Sequence, residues 1–257
     1  MEKKGLVLAV SGKGGTGKTS LAALMIKVLS ESGNRSILAI DADPDSNLSN
    51  VLGFPVTKTV GEALSNFKKE LDKGEVLPTM IKKDLLESRI FEVLEETRGF
   101  DIMTIGRTEG AGCYCAVNDF LTDIIDTLSK NYDLTVIDME AGLEHLSRRT
   151  DRGVDIMVIV TDPSALGFQT AKRIKELAKE VRIDFKKVYL VGNRSSHVME
   201  NMILKISIEF GIELAGAIPE DKVIQEFNLK GKSMIELPLD NPALAAVKKI
   251  VERIGLA

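Results

Sequence analysis

Gly12-Lys13-Gly14-Gly15-Thr16-Gly17-Lys18-Thr19 packs glycines, two lysines and two hydroxyls into one short stretch. The spacing is G-x-x-x-x-G-K-[ST], that of a phosphate-binding loop. Glycines let the backbone curl so that its N–H groups converge on an anion at a helix N-terminus. In such a loop Lys18 reaches the β- and γ-phosphates and the Thr19 hydroxyl ligates Mg²⁺. Gly14, Gly15, Thr16, Gly17 and Ser20 complete the cradle. Carboxylates suited to the same chemistry close two other apolar runs. They are Asp41 and Asp43, in Asp41-Ala42-Asp43-Pro44-Asp45, and Asp138, in Asp138-Met139-Glu140-Ala141-Gly142. An acid at a strand end beside the phosphate loop is placed to hold Mg²⁺, and Gly142 supplies a hinge whose N–H can sense a γ-phosphate.

Cys113 and Cys115 are the only two cysteines of the chain. Residues i and i+2 of an extended segment project from one face, so two thiolates can bite a single soft metal ion. A Zn²⁺ or thiolate Ni²⁺ site needs four ligands, and a second chain related by a twofold axis would supply the missing pair. Two reduced, partly buried thiols, or a strained vicinal redox disulfide, remain the alternatives.

The elements that must position these groups follow from apolar periodicity. Short apolar runs at 6–10, 36–40, 102–105, 134–138, 156–161, 188–191 and 214–218 read as strands. Helical patterns at 117–128, 166–181 and 198–210 alternate with them. Near-continuous apolar strands between amphipathic helices predict an α/β fold, a doubly wound, mostly parallel sheet with helices on both faces. The more polar stretch 57–98 is expected to be helical decoration outside the sheet. One domain over 1–257 is the default for this length. A net charge of -4, from 34 basic and 38 acidic residues, gives no electrostatic footprint for nucleic acid. The first apolar run is cut off at Ser11, too short for a signal peptide or a bilayer span, so the expectation is a cytoplasmic protein. The segment 241–255 is amphipathic. It reads as a helix docked on the domain, with a membrane-surface tail as the other possibility.

Lys13, just after the first loop glycine, makes the loop resemble the deviant Walker A pattern K-G-G-x-G-K-[ST]. That family includes MinD, ParA, the nitrogenase iron protein and the arsenite-pump ATPase. The resemblance implies that Lys13 reaches across a homodimer to the partner's nucleotide. It also implies that Asp43 orients or activates the attacking water, with Asp41 supporting Mg²⁺ through water and Asp138 holding Mg²⁺ in a switch of the D-x-x-A-G type. Asn193 resembles the family's adenine-contacting asparagine; an amide's donor and acceptor suit the N6 and N7 edge of adenine. Pro219 and Asp221, in Ile218-Pro219-Glu220-Asp221, resemble the loop that closes the base pocket.

Three further stretches sharpen the resemblance to CooC-type accessory ATPases: Asp41-Ala42-Asp43-Pro44-Asp45-Ser46, Cys113-Tyr114-Cys115 with Asn118 and Phe120-Leu121, and Asp138 through Leu146. This branch implies ATP-controlled dimerisation, one Ni²⁺ or Zn²⁺ shared by the Cys113 and Cys115 pairs of two subunits, and carbon monoxide dehydrogenase or a related nickel enzyme as client. Glu140 fills a slot that is variable in the motif. His145 reads as a capped or solvated helix residue or as a further ligand. The competing functions are a ParA- or MinD-like positioning switch and an electron-transfer ATPase like the iron protein. DNA partitioning would want a basic surface, and a cluster-bridging protein draws its cysteines from separated segments.

Overall fold

The computed structural model describes residues 5–73, 82–107, 127–140, 154–180 and 185–256. The elements run β1 (Leu6–Gly12), α1 (Lys18–Glu31), β2 (Ile37–Asp41), α2 (Leu48–Leu52), α3 (Val60–Asp72), α4 (Lys82–Phe91), β3 (Glu95–Glu96), β4 (Asp101–Thr104), β5 (Leu134–Asp138) and β6 (Ile156–Thr161), followed by α5 (Ala165–Glu180), β7 (Lys187–Ser195), α6 (His197–Phe210), β8 (Glu213–Pro219), α7 (Lys222–Lys230) and α8 (Pro242–Arg253).

The strands form one eight-stranded sheet in the order β3-β4-β2-β5-β1-β6-β7-β8. Every pairing is parallel except β3 with β4. Successive strand residues point to opposite faces, so Leu8 and Val10 pack with α1 and α8 while Val7 and Ala9 pack with Phe168 and Ile174 of α5. Both faces are covered, which is why β5 and β6 are buried along their whole length. The doubly wound, mostly parallel sheet is as expected. The polar stretch before β4 departs from expectation in one respect. It contributes α3 and α4, but its Glu95 and Glu96 also add a short antiparallel edge to β4. Two charged edge residues carry no apolar alternation, so their periodicity could not reveal a strand.

Register matters more than strand count for the site. Asp138 is paired with Val10 of β1 on one side and with Asp41 of β2 on the other. The phosphate loop leaves the C-terminal end of β1, and the chain crosses from β5 over β1 to β6, so the loop lies where the direction of winding reverses.

The amphipathic C-terminal segment is docked. Asn241 caps α8 by accepting from the Leu244 backbone N–H at 3.0 Å, and Leu244, Val247, Ile250 and Val251 are buried against the sheet. Ile250 sits over Gly216, where an added Cβ would come within 2.7 Å of Ile250 Cγ1. Ile250→Ala should therefore lower stability by about 2–4 kcal/mol through lost burial and a cavity, read as a reduced urea midpoint at unchanged slope.

Candidate nucleotide-binding site

The loop between β1 and α1 is built as a cradle. Thr16 closes its base, with its backbone N–H (3.2 Å) and its hydroxyl (2.7 Å) both donating to the Lys13 carbonyl. Gly17 caps α1 in the left-handed conformation with φ 90°, and no side chain covers the first turn, so the N–H groups of that turn are available to an anion. Two glycines are required by contact as well. A Cβ on Gly12 would meet the Val160 carbonyl at 2.2 Å, and one on Gly17 would meet Asn193 Nδ2 at 2.2 Å. A cavity of about 730 Å³ opens over the loop, walled by Gly14, Gly15, Lys18, Thr19, Asp43 and Glu140 among others. That volume suits a nucleotide polyphosphate. Lys18 is nearly buried beneath it, whereas Lys13 is half-buried and does not line its own chain's cavity.

Two carboxylates are set side by side at the ends of β2 and β5, without lining the cavity themselves. Asp41 and Asp138 are both fully buried. Asp41 accepts from the backbone N–H of Leu48 (2.8 Å) and of Asp43 (3.2 Å), so its two oxygens fold the loop after β2. Burial, offset in part by these bonds, raises its pKa to about 6. Neither oxygen of Asp138 has a hydrogen-bond partner among the described residues. Burial, with Asp41 and Asp43 adding to it, pushes Asp138 up to about 7 against the pull of the neighbouring Thr19 hydroxyl and Lys18 ammonium. A buried carboxylate left without donors between a lysine and a threonine fits a divalent cation. Asp43 lines the cavity wall, with its Oδ1 accepting from the Asp45 N–H at 2.9 Å, and Asp45 pairs with Arg107 at 2.9 Å.

A second, narrower cleft adjoins the loop, lined by Ser20, Leu24, Asn193, Pro219, Asp221 and Ile224. Asn193 differs here from a free adenine-reading amide. Its Nδ2 donates to the Thr16 carbonyl at 2.7 Å and its Oδ1 accepts from the Arg194 N–H at 3.0 Å. Asp221 is the N-cap of α7 and also accepts from Asn241 Nδ2 at 2.9 Å, which fixes the wall of the cleft. Another cavity, of about 600 Å³ beside α3 and α4, contains none of the phosphate-loop residues, and its Arg89 is already paired with Glu70 and Glu92.

Residues 7–234 match the family described as CobQ/CobB/MinD/ParA nucleotide binding domain. The chain belongs to this family. It is 49% identical over 249 residues to an uncharacterized ATP-binding protein of Methanocaldococcus jannaschii, covering 97% of this chain and 98% of that protein. It is 32% identical over 267 residues to the carbon monoxide dehydrogenase accessory protein CooC of Rhodospirillum rubrum, covering 96% of this chain and 97% of the relative. A ParA family ATPase from Chlorobium tepidum shares the fold, with a TM-score of 0.71 at 20% identity over 99% of this chain and 100% of that one. In this member of the ParA/MinD family of ATPases, Gly14, Gly15, Gly17, Lys18, Thr19, Ser20 and Asp43 line one cavity, Asn193, Pro219 and Asp221 line the adjoining cleft, and Asp41 and Asp138 are paired in register on adjacent strands without lining either.

Cys113, Cys115, Gly142 and His145 lie outside the described residues. Among the described residues no group of three or more His, Cys, Asp or Glu side chains is placed to hold a metal ion, and no helix is long and apolar enough to cross a membrane. Arg194 is a site residue that sequence reasoning passed over. It lines both cavities and holds a left-handed φ of 53°, a sparsely populated conformation for a residue with a side chain. Its one sequence signal was its place next to Asn193.

The raised pKa of Asp138 has a measurable consequence. A carboxylate whose folded-state pKa lies near 7 rather than 3.8 binds more protons folded than unfolded between those values. Its ionisation therefore destabilises the nucleotide-free protein progressively as pH rises to 7. Asp138→Asn should raise the melting temperature at pH 8, by an amount equivalent to a few kcal/mol at most, and the gain should shrink toward zero near pH 4. A gain that does not vary with pH would contradict this origin.

Proposed function

We propose that this chain is a single-domain, ATP-hydrolysing metallochaperone of the cytoplasm that dimerises with nucleotide and assists nickel insertion into carbon monoxide dehydrogenase or a related nickel enzyme. The observation that carries the ATPase part is the orphaned Asp138 carboxylate beside Lys18 and Thr19. The client is supported by full-length similarity to the CooC protein of Rhodospirillum rubrum together with Cys113-Tyr114-Cys115.

In this reading the loop amides from Gly14 to Thr19 bind the phosphates, and Lys18 lies along the β- and γ-phosphates. Mg²⁺, held by Asp138 and the Thr19 hydroxyl, supplies charge neutralisation at the phosphates when bound. Asp41 acts behind them by fixing the loop that carries Asp43, and Asp43 orients the attacking water. Lys13, which does not line its own chain's cavity, acts on the nucleotide of a second copy of the chain, which makes turnover depend on dimerisation. Asn193, Pro219 and Asp221 shape the base cleft. The adenine edge would take the Asn193 amide now bonded to Thr16. Nickel or zinc is cargo here, bound by Cys113 and Cys115 of two chains; four thiolates complete a soft-metal site that two cannot. The docked apolar face of α8 speaks against a membrane-positioning tail, and the net charge of -4 against DNA partitioning.

Asp43→Ala should retain ATP binding and accumulate an ATP-bound dimer by light scattering, with turnover lost. Normal turnover would remove Asp43 from the mechanism. Metal stoichiometry tests the cargo: reduced, anaerobic protein titrated with Ni²⁺ or Zn²⁺ should bind one ion per two chains, and Cys113→Ser should abolish this while leaving nucleotide binding intact. An ATP-dependent dimer with no metal would exclude the metallochaperone role and leave the ATPase switch standing.

A further inference from the structure

We propose that Glu140 is a second catalytic carboxylate of this site, accepting a hydrogen bond from the attacking water and aligning it together with Asp43. The proposal rests on the ATPase reading above and assigns a role to a residue that the motif leaves variable.

The backbone after β5 is held on both sides of Met139. The Met139 N–H donates to the Val10 carbonyl at 3.0 Å, and the buried Ser11 hydroxyl donates to the Glu140 carbonyl at 2.9 Å. These bonds keep the segment alongside β1 as β1 enters the phosphate loop. Side chains alternate along it. Asp138 is fully buried next to Lys18 and Thr19, Met139 is fully buried in the core, and Glu140 is an exposed residue on the wall of the same cavity as Lys18, Thr19 and Asp43.

Competition among the acids favours Glu140. Both oxygens of Asp41 are engaged by backbone N–H groups, one oxygen of Asp43 is engaged by Asp45, and Asp45 is paired with Arg107. Asp138 is fully buried and does not line the cavity. Glu140 forms no side-chain hydrogen bond or ion pair with another described residue, so both of its oxygens are available at the wall. Its carbonyl is anchored by Ser11 and its side chain is long enough to adjust, a combination suited to a water-aligning acceptor.

In the step it serves, the water oxygen bonds to the γ-phosphorus as the bond from that phosphorus to the β–γ bridging oxygen breaks. The bonding pair leaves on the terminal phosphate of ADP, and the water proton ends on the released inorganic phosphate or in solvent. Asp43 and Glu140 approach the water from two different loops. Two acceptors restrict its orientation more than either one alone.

The test compares wild type, Glu140→Gln and Glu140→Asp as full-length chains with Mg²⁺ and ATP, measuring kcat and KM alongside binding of a fluorescent non-hydrolysable ATP analogue. Glu140→Gln should lower kcat by about 10- to 100-fold with analogue affinity and KM within about twofold of wild type, and Glu140→Asp should fall between the two. Unchanged kcat in Glu140→Gln would overturn the proposal. Parallel loss of analogue affinity would also overturn it, by showing a role in shaping the cavity. Wild-type protein that binds the analogue but never hydrolyses ATP would overturn the ATPase reading itself, an outcome visible before any variant is made.

Discussion

Two carboxylates ending adjacent strands in register, Asp41 and Asp138, are buried together with too few donors between them. Asp41 spends its oxygens on the backbone of the loop that follows it, and Asp138 has the nearby Thr19 hydroxyl but no well-formed hydrogen bond among the described residues. A buried, unpaired acid costs free energy unless it is protonated or meets a cation. The sheet holds the acid there regardless, because the flanking residues of β5 are packed into both cores and cannot slip without turning every apolar side chain to the wrong face. The nucleotide-free protein thus keeps a site whose electrostatics are completed by what binds there. Local instability of this kind is common where a protein has been shaped for a ligand.

The same economy governs the loop and the base cleft. Asn193 ties β7 to Thr16 of the phosphate loop, Ser11 ties β1 to Glu140, and Met139 ties β5 back to Val10. Of these, the Asn193 bond joins the base cleft to the phosphate loop, beside Leu21 and Leu24 of α1, which also line the cleft. A change in one bond, such as the amide of Asn193 turning from the loop carbonyl toward a base, reaches the loop directly. Arg194, held in a left-handed backbone between the two cavities, stands at the same junction.

Within the ParA/MinD family the scaffold is shared down to about 20% identity, as the Chlorobium tepidum structure illustrates. What such a likeness conveys is the sheet and the phosphate loop. Function is set by side chains placed on that scaffold, and in this chain Asp45 and Glu140 follow the ends of β2 and β5 beside the phosphate loop.

Sequence alone determined a great deal. The phosphate loop, the parallel sheet, the acids that close β2 and β5 and the docked C-terminal helix could all be read from it, because each leaves a local mark: glycine spacing, continuous apolar runs, an acid at a run's end, helical periodicity. The edge strand Glu95–Glu96 left none, being two charged residues long. Only the tertiary structure decided which acids are spent and which are available. It assigned Asp41 to the loop backbone, left Asp138 without a partner, engaged Asn193 with Thr16 and opened Glu140 to the cavity. Those outcomes depend on strand order and register, which bring residues almost a hundred positions apart, Asp41 and Asp138, side by side. Side-chain type records what a residue can do; the partners that use up its hydrogen bonds arrive only with the fold.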